Sequence, residues 1–367
     1  MIKVAIFSST RGDMSILAPL IYQMNRTKGI KPLFFVGGTH LKKNYGLTHD
    51  EIKDEKIKVN GYFNYISKGE KQINLIDSLS KAHLTIEKIF EKFKFDYVCI
   101  LGDRFERLAI ANNAIIYNKP IIHLHGGEIT TGVIDNQIRH MITKAAHLHF
   151  VICNEYKKNI LKMNEKKKNI FNFGSLAVET IKTNKVIEKN KLLKNLKIKQ
   201  HSPFVILTYH PVTLENKNLI LHQIKNILSA LKKYNFQIVV TAPGHEKGRN
   251  IIDNYIYTKS KKNNKIIYIK SLGFRKLFNL IPYCKFVIGN SSSGIIEVPY
   301  FKIPTINIGD RQNGRVLHKS IINCGYQSKQ IIKSVNLALS PLFNQKIKSM
   351  KYKFGNGTAS HKIIEAI

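Results

Sequence analysis

At 367 residues the chain is longer than one hydrophobic core usually serves, and 43% hydrophobic with 10% aromatic residues excludes a disordered or fibrous protein. The formal charge of +35 invites a nucleic-acid partner, but the excess is Lys mixed with Asn and Ile along the whole chain (KKNYG, NEKKKN, KSKKNNK). No arginine stripe with interleaved aromatics is present, so a solvated basic surface accounts for it better. Four scattered cysteines without a CxxC pair argue for reduced thiols and no metal. No signal peptide or apolar run near the roughly 20 residues of a membrane helix is read, so a cytoplasmic protein without a membrane partner is expected.

KVAIF opens the chain as a short apolar run, and Arg11, Asp13 and Ser15 follow directly in SSTRGDMS. Apolar residues three or four apart predict a helix over 15–28. KPLFFVGG predicts the next strand, and a longer helix follows over 74–94. FDYVCILG ends in GDRFE, with Asp103 and Arg104, before a helix over 106–118. KPIIHLHG runs into GGE with Glu128; Asp135 in TGVID precedes a helix over 137–148; LHFVICN closes the first half. The lysine-rich stretch 183–202 reads as a connector.

The second half repeats the alternation. PFVILTYH ends at His210, and a helix over 219–234 precedes FQIVVTAPG, with His245 next. After KIIYIK, a helix over 275–281, KFVIGN and IPTINIG follow, the last leading to Arg311. Strands alternating with amphipathic helices predict parallel sheets, and the length predicts two doubly wound, Rossmann-like domains, 1–180 and 181–345, with a C-terminal segment 346–367. In such sheets ligands sit beyond the carboxyl ends of the strands, where nearly every run here carries polar residues.

GNSSSGIIE is the strongest single segment: Ser291, Ser292 and Ser293 at a helix start offer hydroxyls and amides to a diphosphate, with Glu297 placed for a ribose. An ordinary N-cap with a helical glutamate is the rival reading. Arg11 and Arg311 are phosphate-clamp candidates, because a guanidinium fork matches anionic oxygens; surface ion pairs are the bland reading. Asp103, Glu128 and Asp135 are carboxylates able to divide acid and base work. Helix capping is the rival reading for Asp103 and Asp135, the latter for the helix bearing Arg139 and His140. His123 and His125 fall on one side of a strand by alternation, which suggests a polar face at a strand end. His210 reads as a pyrophosphate or base contact, or as a turn residue.

At these residues the chain resembles the hydrolysing UDP-N-acetylglucosamine 2-epimerases, through STRGD, GDRFE, HGGE with TGVIDNQIRHMITKAAHLHF, YHPVT, GNSSSGIIE, INIGDRQNGR and FGNGTAS. The resemblance implies a GT-B-like pair of domains facing a cleft, the last helix crossing back to the first, assembled as a dimer or tetramer. It implies nucleotide contacts at Arg11, Ser15, Arg104, His210, Ser291, Ser292, Glu297 and Arg311, and acid/base groups at Asp103, Glu128 and Asp135, without cofactor or metal. The implied reaction is anti-elimination of UDP from UDP-N-acetylglucosamine to 2-acetamidoglucal, then hydration to N-acetylmannosamine, in sialic-acid-type biosynthesis. A diacetylbacillosamine nucleotide of the legionaminic acid pathway is the alternative substrate, and a GT-B glycosyltransferase the alternative class. GTRPEAIK and EAGLRT, typical of non-hydrolysing relatives, are absent. Two departures stand out: RGDM replaces RADY, and APGHEKG puts Gly244 where relatives carry asparagine, with His245 as a substitute contact.

Overall fold

The structure is a computed structural model that describes residues 1–46, 48–67, 75–212, 217–244, 246 and 248–367. Two compact units emerge: the first holds Met1–Ile129, Ile134–Thr183 and Lys353–Ile367, the second Thr130–Val133 and Asn184–Tyr352.

In the first unit β1 (Ile2–Ser8), α1 (Met14–Arg26), β2 (Ile30–Gly37), α2 (His49–Asp54), β3 (Gly61–Phe63), α3 (Leu75–Lys92) and β4 (Tyr97–Leu101) come first. They are followed by α4 (Glu106–Ile116), β5 (Ile121–Leu124), α5 (Asp135–Ala145), β6 (Leu148–Val151), α6 (Asn154–Lys162), β7 (Ile170–Asn172) and α7 (Leu176–Thr183). The strands form one parallel sheet in the order β3-β2-β1-β4-β5-β6-β7. Successive connections reverse direction between β1 and β4, so the loops after these two strands flank the topological switch point where such sheets bind ligands. SSTRGD and GDRFE are those loops. Strand residues are apolar because helices cover both faces; Phe7 stacks on Phe35 and meets Phe63 edge-on in a core closed by Ile86, Phe90 and Ile110.

The second unit contains α8 (Lys189–Asn195), β8 (Phe204–Thr208), α9 (Lys217–Leu231), β9 (Gln237–Thr241), α10 (Arg249–Lys262), β10 (Ile266–Ile269) and α11 (Gly273–Leu280). Then come β11 (Val287–Gly289), the short α12 (Ser293–Ile296), β12 (Thr305–Ile308), β13 (Ile321–Cys324), α13 (Ser328–Leu339) and α14 (Pro341–Lys348). The sheet is parallel throughout, in the order β10-β9-β8-β11-β12-β13. Its switch point lies between β8 and β11, flanked by the turns that carry His210 and GNSSSG. The last helix, α15 (Ala359–Ala366), packs on α1 and α7 of the first unit, where Ser360 N donates to Glu179 Oε1 at 2.9 Å.

Residues 183–202 are more than a connector. Glu188 caps α8 by accepting from the amides of Asn190 and Lys191, and Leu192 and Leu193 are buried. Asn184 Nδ2 donates to Arg275 O at 3.1 Å, and Ile187 N donates to Asn279 Oδ1 at 2.8 Å, which stitches the segment to α11. Two apolar residues among lysines suffice for one short helix, and that signal is hidden by composition.

All four cysteines are buried free thiols, and burial pushes Cys99 and Cys153 up to about 12. Among the described residues, no helix is long and apolar enough to cross a membrane.

The β11 turn depends on a residue without a side chain. Gly289 has φ +135°, and a Cβ there would lie 1.9 Å from Thr208 O on the neighbouring strand. Gly289→Ala is therefore expected to cost about 3 kcal/mol by forcing β8 and β11 apart, read as a lower urea midpoint at unchanged slope. An unshifted midpoint would contradict this close packing.

Candidate active site

In the first unit the β1 loop is wound around a carboxylate. Asp13 Oδ2 accepts from the amides of Ser9 (2.7 Å) and Thr10 (2.9 Å), and Arg107 Nη2 donates to the same oxygen at 2.7 Å. Arg107, fully buried on α4, also donates from Nη1 to Phe7 O at 2.9 Å. Asp13 thus anchors the loop. Burial works against its charge, but Arg107, His40 and the Ser9 and Thr10 amides prevail and hold the carboxyl at about 2 instead of 3.8.

A carboxyl depressed on folding stabilises the protein above about pH 4, and that contribution is lost as the pH falls toward 2. Asp13→Asn is expected to lower stability at pH 7 by about 3 kcal/mol and to flatten the decline between pH 4 and 2. Urea titrations across that range check both. An equally steep acid decline in the variant would remove Asp13 as its source.

The same loop presents Arg11, half-buried, and the first turn of α1 carries buried Ser15, whose Oγ donates to Gly12 O at 3.0 Å. Arg104, in the loop after β4, reaches Glu106 Oε1 with Nε at 3.1 Å, and Ser9 Oγ donates to that oxygen at 2.5 Å. Buried Glu106 therefore links the loops after β1 and β4, the two that border the switch point.

The acid/base candidates gather around Arg139. This arginine, 1% exposed on α5, donates from Nη1 to the backbone carbonyl of Glu128 at 2.7 Å and from Nη2 to the Asp103 carboxylate. Asp135 opens the same helix four residues earlier, which places it on the Arg139 face. Asp103 is thus held by an ion pair instead of capping α4, and the α5 N-cap position is Ile134 rather than Asp135.

His123 and His125 do not share a strand face. β5 ends at Leu124, and His125 has a left-handed φ of +63°, so alternation fails there. His123 is fully buried, with Nε2 2.9 Å from Gly102 O and Nδ1 3.2 Å from Thr143 Oγ1; burial lowers it to about 3, and it acts as a neutral tie beneath the β4 loop. His125 Nδ1 lies 3.0 Å from Glu128 Oε1, orienting that carboxylate. Gly127 (φ +75°) makes the turn possible, since a Cβ would fall 2.4 Å from Tyr156 O. His140 is half-buried on α5, lowered by burial and then by Arg139.

In the second unit the anion-binding candidates meet at Asn290. Its Oδ1 accepts from His210 N at 2.7 Å, its Nδ2 donates to His210 O at 2.8 Å, and its backbone carbonyl accepts from Arg311 Nη1 at 3.1 Å and Gln312 Nε2 at 2.8 Å. Arg311 Nη2 donates to Glu246 Oε1 at 3.0 Å, and Glu246 Oε2 lies 3.0 Å from His210 Nδ1. Ser291 and Ser292 continue from Asn290 half-buried, and Ser293 N is 3.4 Å from Ser291 Oγ. Glu297 is buried at the end of α12 beside Tyr352, whose phenol is raised by burial and by Glu297 while it donates to Ile296 O at 2.8 Å. His245 lies outside the described residues.

The nucleotide-site candidates of each unit therefore border that unit's own switch point, and two of the three acid/base candidates share one arginine. A family model described as UDP-N-acetylglucosamine 2-epimerase matches residues 22–367. The chain belongs to that family. It is 38% identical over 323 residues to the GDP/UDP-N,N'-diacetylbacillosamine 2-epimerase (hydrolyzing) of Campylobacter jejuni, covering 88% of this chain and 84% of that protein. It is 31% identical to the polysialic acid biosynthesis protein P7 of Escherichia coli, over 95% of this chain and 88% of the relative. The crystal structure of the Neisseria meningitidis UDP-GlcNAc 2-epimerase bound to UDP-GlcNAc superposes with a TM-score of 0.86 at 19% identity, covering 100% of this chain and 99% of that one, a likeness of fold.

In this member of the epimerase family, sequence reasoning missed Glu106, Arg107, Asn290 and Glu246. Glu106 and Arg107 open the helix expected over 106–118 with nothing local to mark them, because their partners Ser9 and Asp13 lie 97 and 94 residues away. Asn290 carried a usable signal: an amide directly after a strand can donate and accept at once, as it does across β8 and β11.

Proposed function

We propose that the chain is a hydrolysing 2-epimerase of nucleotide-linked 2-acetamido sugars, converting UDP-N-acetylglucosamine and water to N-acetylmannosamine and UDP. The observation that carries this reading is the hold of Arg139 on both Asp103 and Glu128, with Asp135 one turn earlier on the same helix. Removing the C2 proton and expelling UDP from C1 needs a base and anion stabilisation; adding water across the resulting 2-acetamidoglucal needs an acid for C2 and a base for the water. Three carboxylates supply the proton transfers. The serines after β11, with His210 and Arg311, supply the anion stabilisation, which contributes more to the rate because the departing diphosphate carries the developing charge.

The Campylobacter relative's name favours a second substrate with the same C1 and C2 chemistry, a UDP- or GDP-linked N,N'-diacetylbacillosamine. Homo-oligomeric assembly and a cytoplasmic location belong to the same proposal. Incubation with each of the three nucleotides and no acceptor, followed by chromatography, tests it. The expected products are free 2-epimer and nucleoside diphosphate in equal amounts from at least one of them. A 2-epimer still attached to nucleotide, or three unchanged nucleotides, would overturn it.

A further inference from the structure

Four loops after strands of the second sheet are tied into a closed ring, two of whose members, Glu246 and Asn290, none of the family assignments uses. His210 follows β8, Glu246 follows β9, Asn290 follows β11 and Arg311 follows β12. Going round, the Asn290 side chain makes both hydrogen bonds of the His210 backbone, the Asn290 carbonyl accepts from Arg311 Nη1, Arg311 Nη2 donates to Glu246 Oε1, and Glu246 Oε2 meets His210 Nδ1. Asn290 is wholly buried and Glu246 is 9% exposed, so water screens these contacts little.

We propose that Glu246 is a positioning residue for nucleotide binding: its carboxylate fixes the guanidinium plane of Arg311 and the tautomer of His210. The inference rests on the reading of the second unit as the nucleotide site. Among the described residues, the Glu246 carboxylate lies 3.0 Å from His210 Nδ1 and the Gly244 amide 3.2 Å from it. A ring nitrogen cannot donate to one and accept from the other, and the closer, ionised partner selects Nδ1–H. With Nδ1 carrying the proton, Nε2 is an acceptor in the neutral ring and a donor in the imidazolium, so the carboxylate decides which polarity the far side of the ring carries. The guanidinium gains as much: with one arm on Asn290 and one on Glu246, its plane is set by two strand ends before any ligand arrives. The arrangement assigns Arg311 a preorganised role instead of that of a mobile clamp.

Glu246→Gln keeps the shape and the Arg311 contact but turns an N–H toward His210 Nδ1, which forces the opposite tautomer. Titration calorimetry with UDP is expected to show binding weakened about 10- to 100-fold, the effect of losing a charge-assisted contact. The KM for sugar nucleotide should rise by a similar factor with a smaller fall in kcat, and Glu246→Asp should recover part of the affinity. Unchanged UDP affinity would overturn the proposal, and so would tighter binding, which would make the carboxylate a rival of the phosphates. A measurement on the unmodified protein guards against a variant that does not fold. Nitrogen NMR of 15N-histidine-labelled protein, with His210 assigned by loss of its signal in His210→Asn, should find Nδ1 protonated, and an Nε2–H tautomer would refute the assignment. If the unmodified protein fails to bind UDP, the nucleotide-site reading falls first and this inference with it; if it binds UDP and Glu246→Gln binds equally well, only the inference falls.

Discussion

Glu128→Gln is expected to lower kcat by about 10³-fold while leaving KM for the sugar nucleotide within a small factor, because the amide keeps the shape of the carboxylate but cannot exchange a proton. The residue is 2% exposed, its carboxylate lies against His125 Nδ1, and its backbone carbonyl is pinned by Arg139. A side chain so held loses little positional freedom on substitution, so the loss falls on chemistry. The same variant should also slow incorporation of solvent deuterium at C2, since exchange and net turnover share the proton-transfer step. A variant with near-normal kcat and a raised KM would move Glu128 from proton transfer to binding.

Arg139→Met is expected to cost activity and stability together. Breaking an ion pair that is buried at Arg139 and half-buried at Asp103 should lower stability by about 2 to 3 kcal/mol. Activity should fall by about 10²-fold or more even in folded protein, since Asp103 and the Glu128 loop lose the group that spaces them. Arg139→Lys separates the two effects. It restores the charge but not the fork, so one ammonium cannot serve the Glu128 carbonyl and the Asp103 carboxylate with the same geometry. Stability should largely return while kcat stays low. Full recovery of kcat with lysine would show that charge alone matters at this position. Denaturant midpoints and initial rates measured on the same preparations give both readings.

The architecture is legible because the strands announce themselves. KVAIF, YVCIL, FVILT and the others are apolar on both faces, as strands covered by helices must be, and the polar residues after them mark the ligand-binding ends. Of the candidate site, what is legible is position: Arg11, Asp103, His210 and Ser291 are expected just after strands and lie there. A role is not legible where it depends on a partner far along the chain. Asp13 reads as another ligand candidate, and only burial against Arg107 makes it an anchor. Alternation puts His125 on a strand face, but the strand has already ended. Glu246 sits in a lysine- and glycine-rich turn where nothing local distinguishes it, yet it lies between His210 and Arg311. The helix over 189–195 is masked in the same way by its lysines.

Hydrolytic elimination at C2 is tested most directly by a proton NMR time course of the unmodified protein with UDP-N-acetylglucosamine and the diacetylbacillosamine nucleotides in deuterated water. The account predicts that, for the substrate used, the released 2-epimer carries deuterium at C2 from the first turnover and that nucleoside diphosphate appears at the same rate. A released sugar that keeps its C2 proton, or a sugar that changes configuration while still bound to nucleotide, would contradict it.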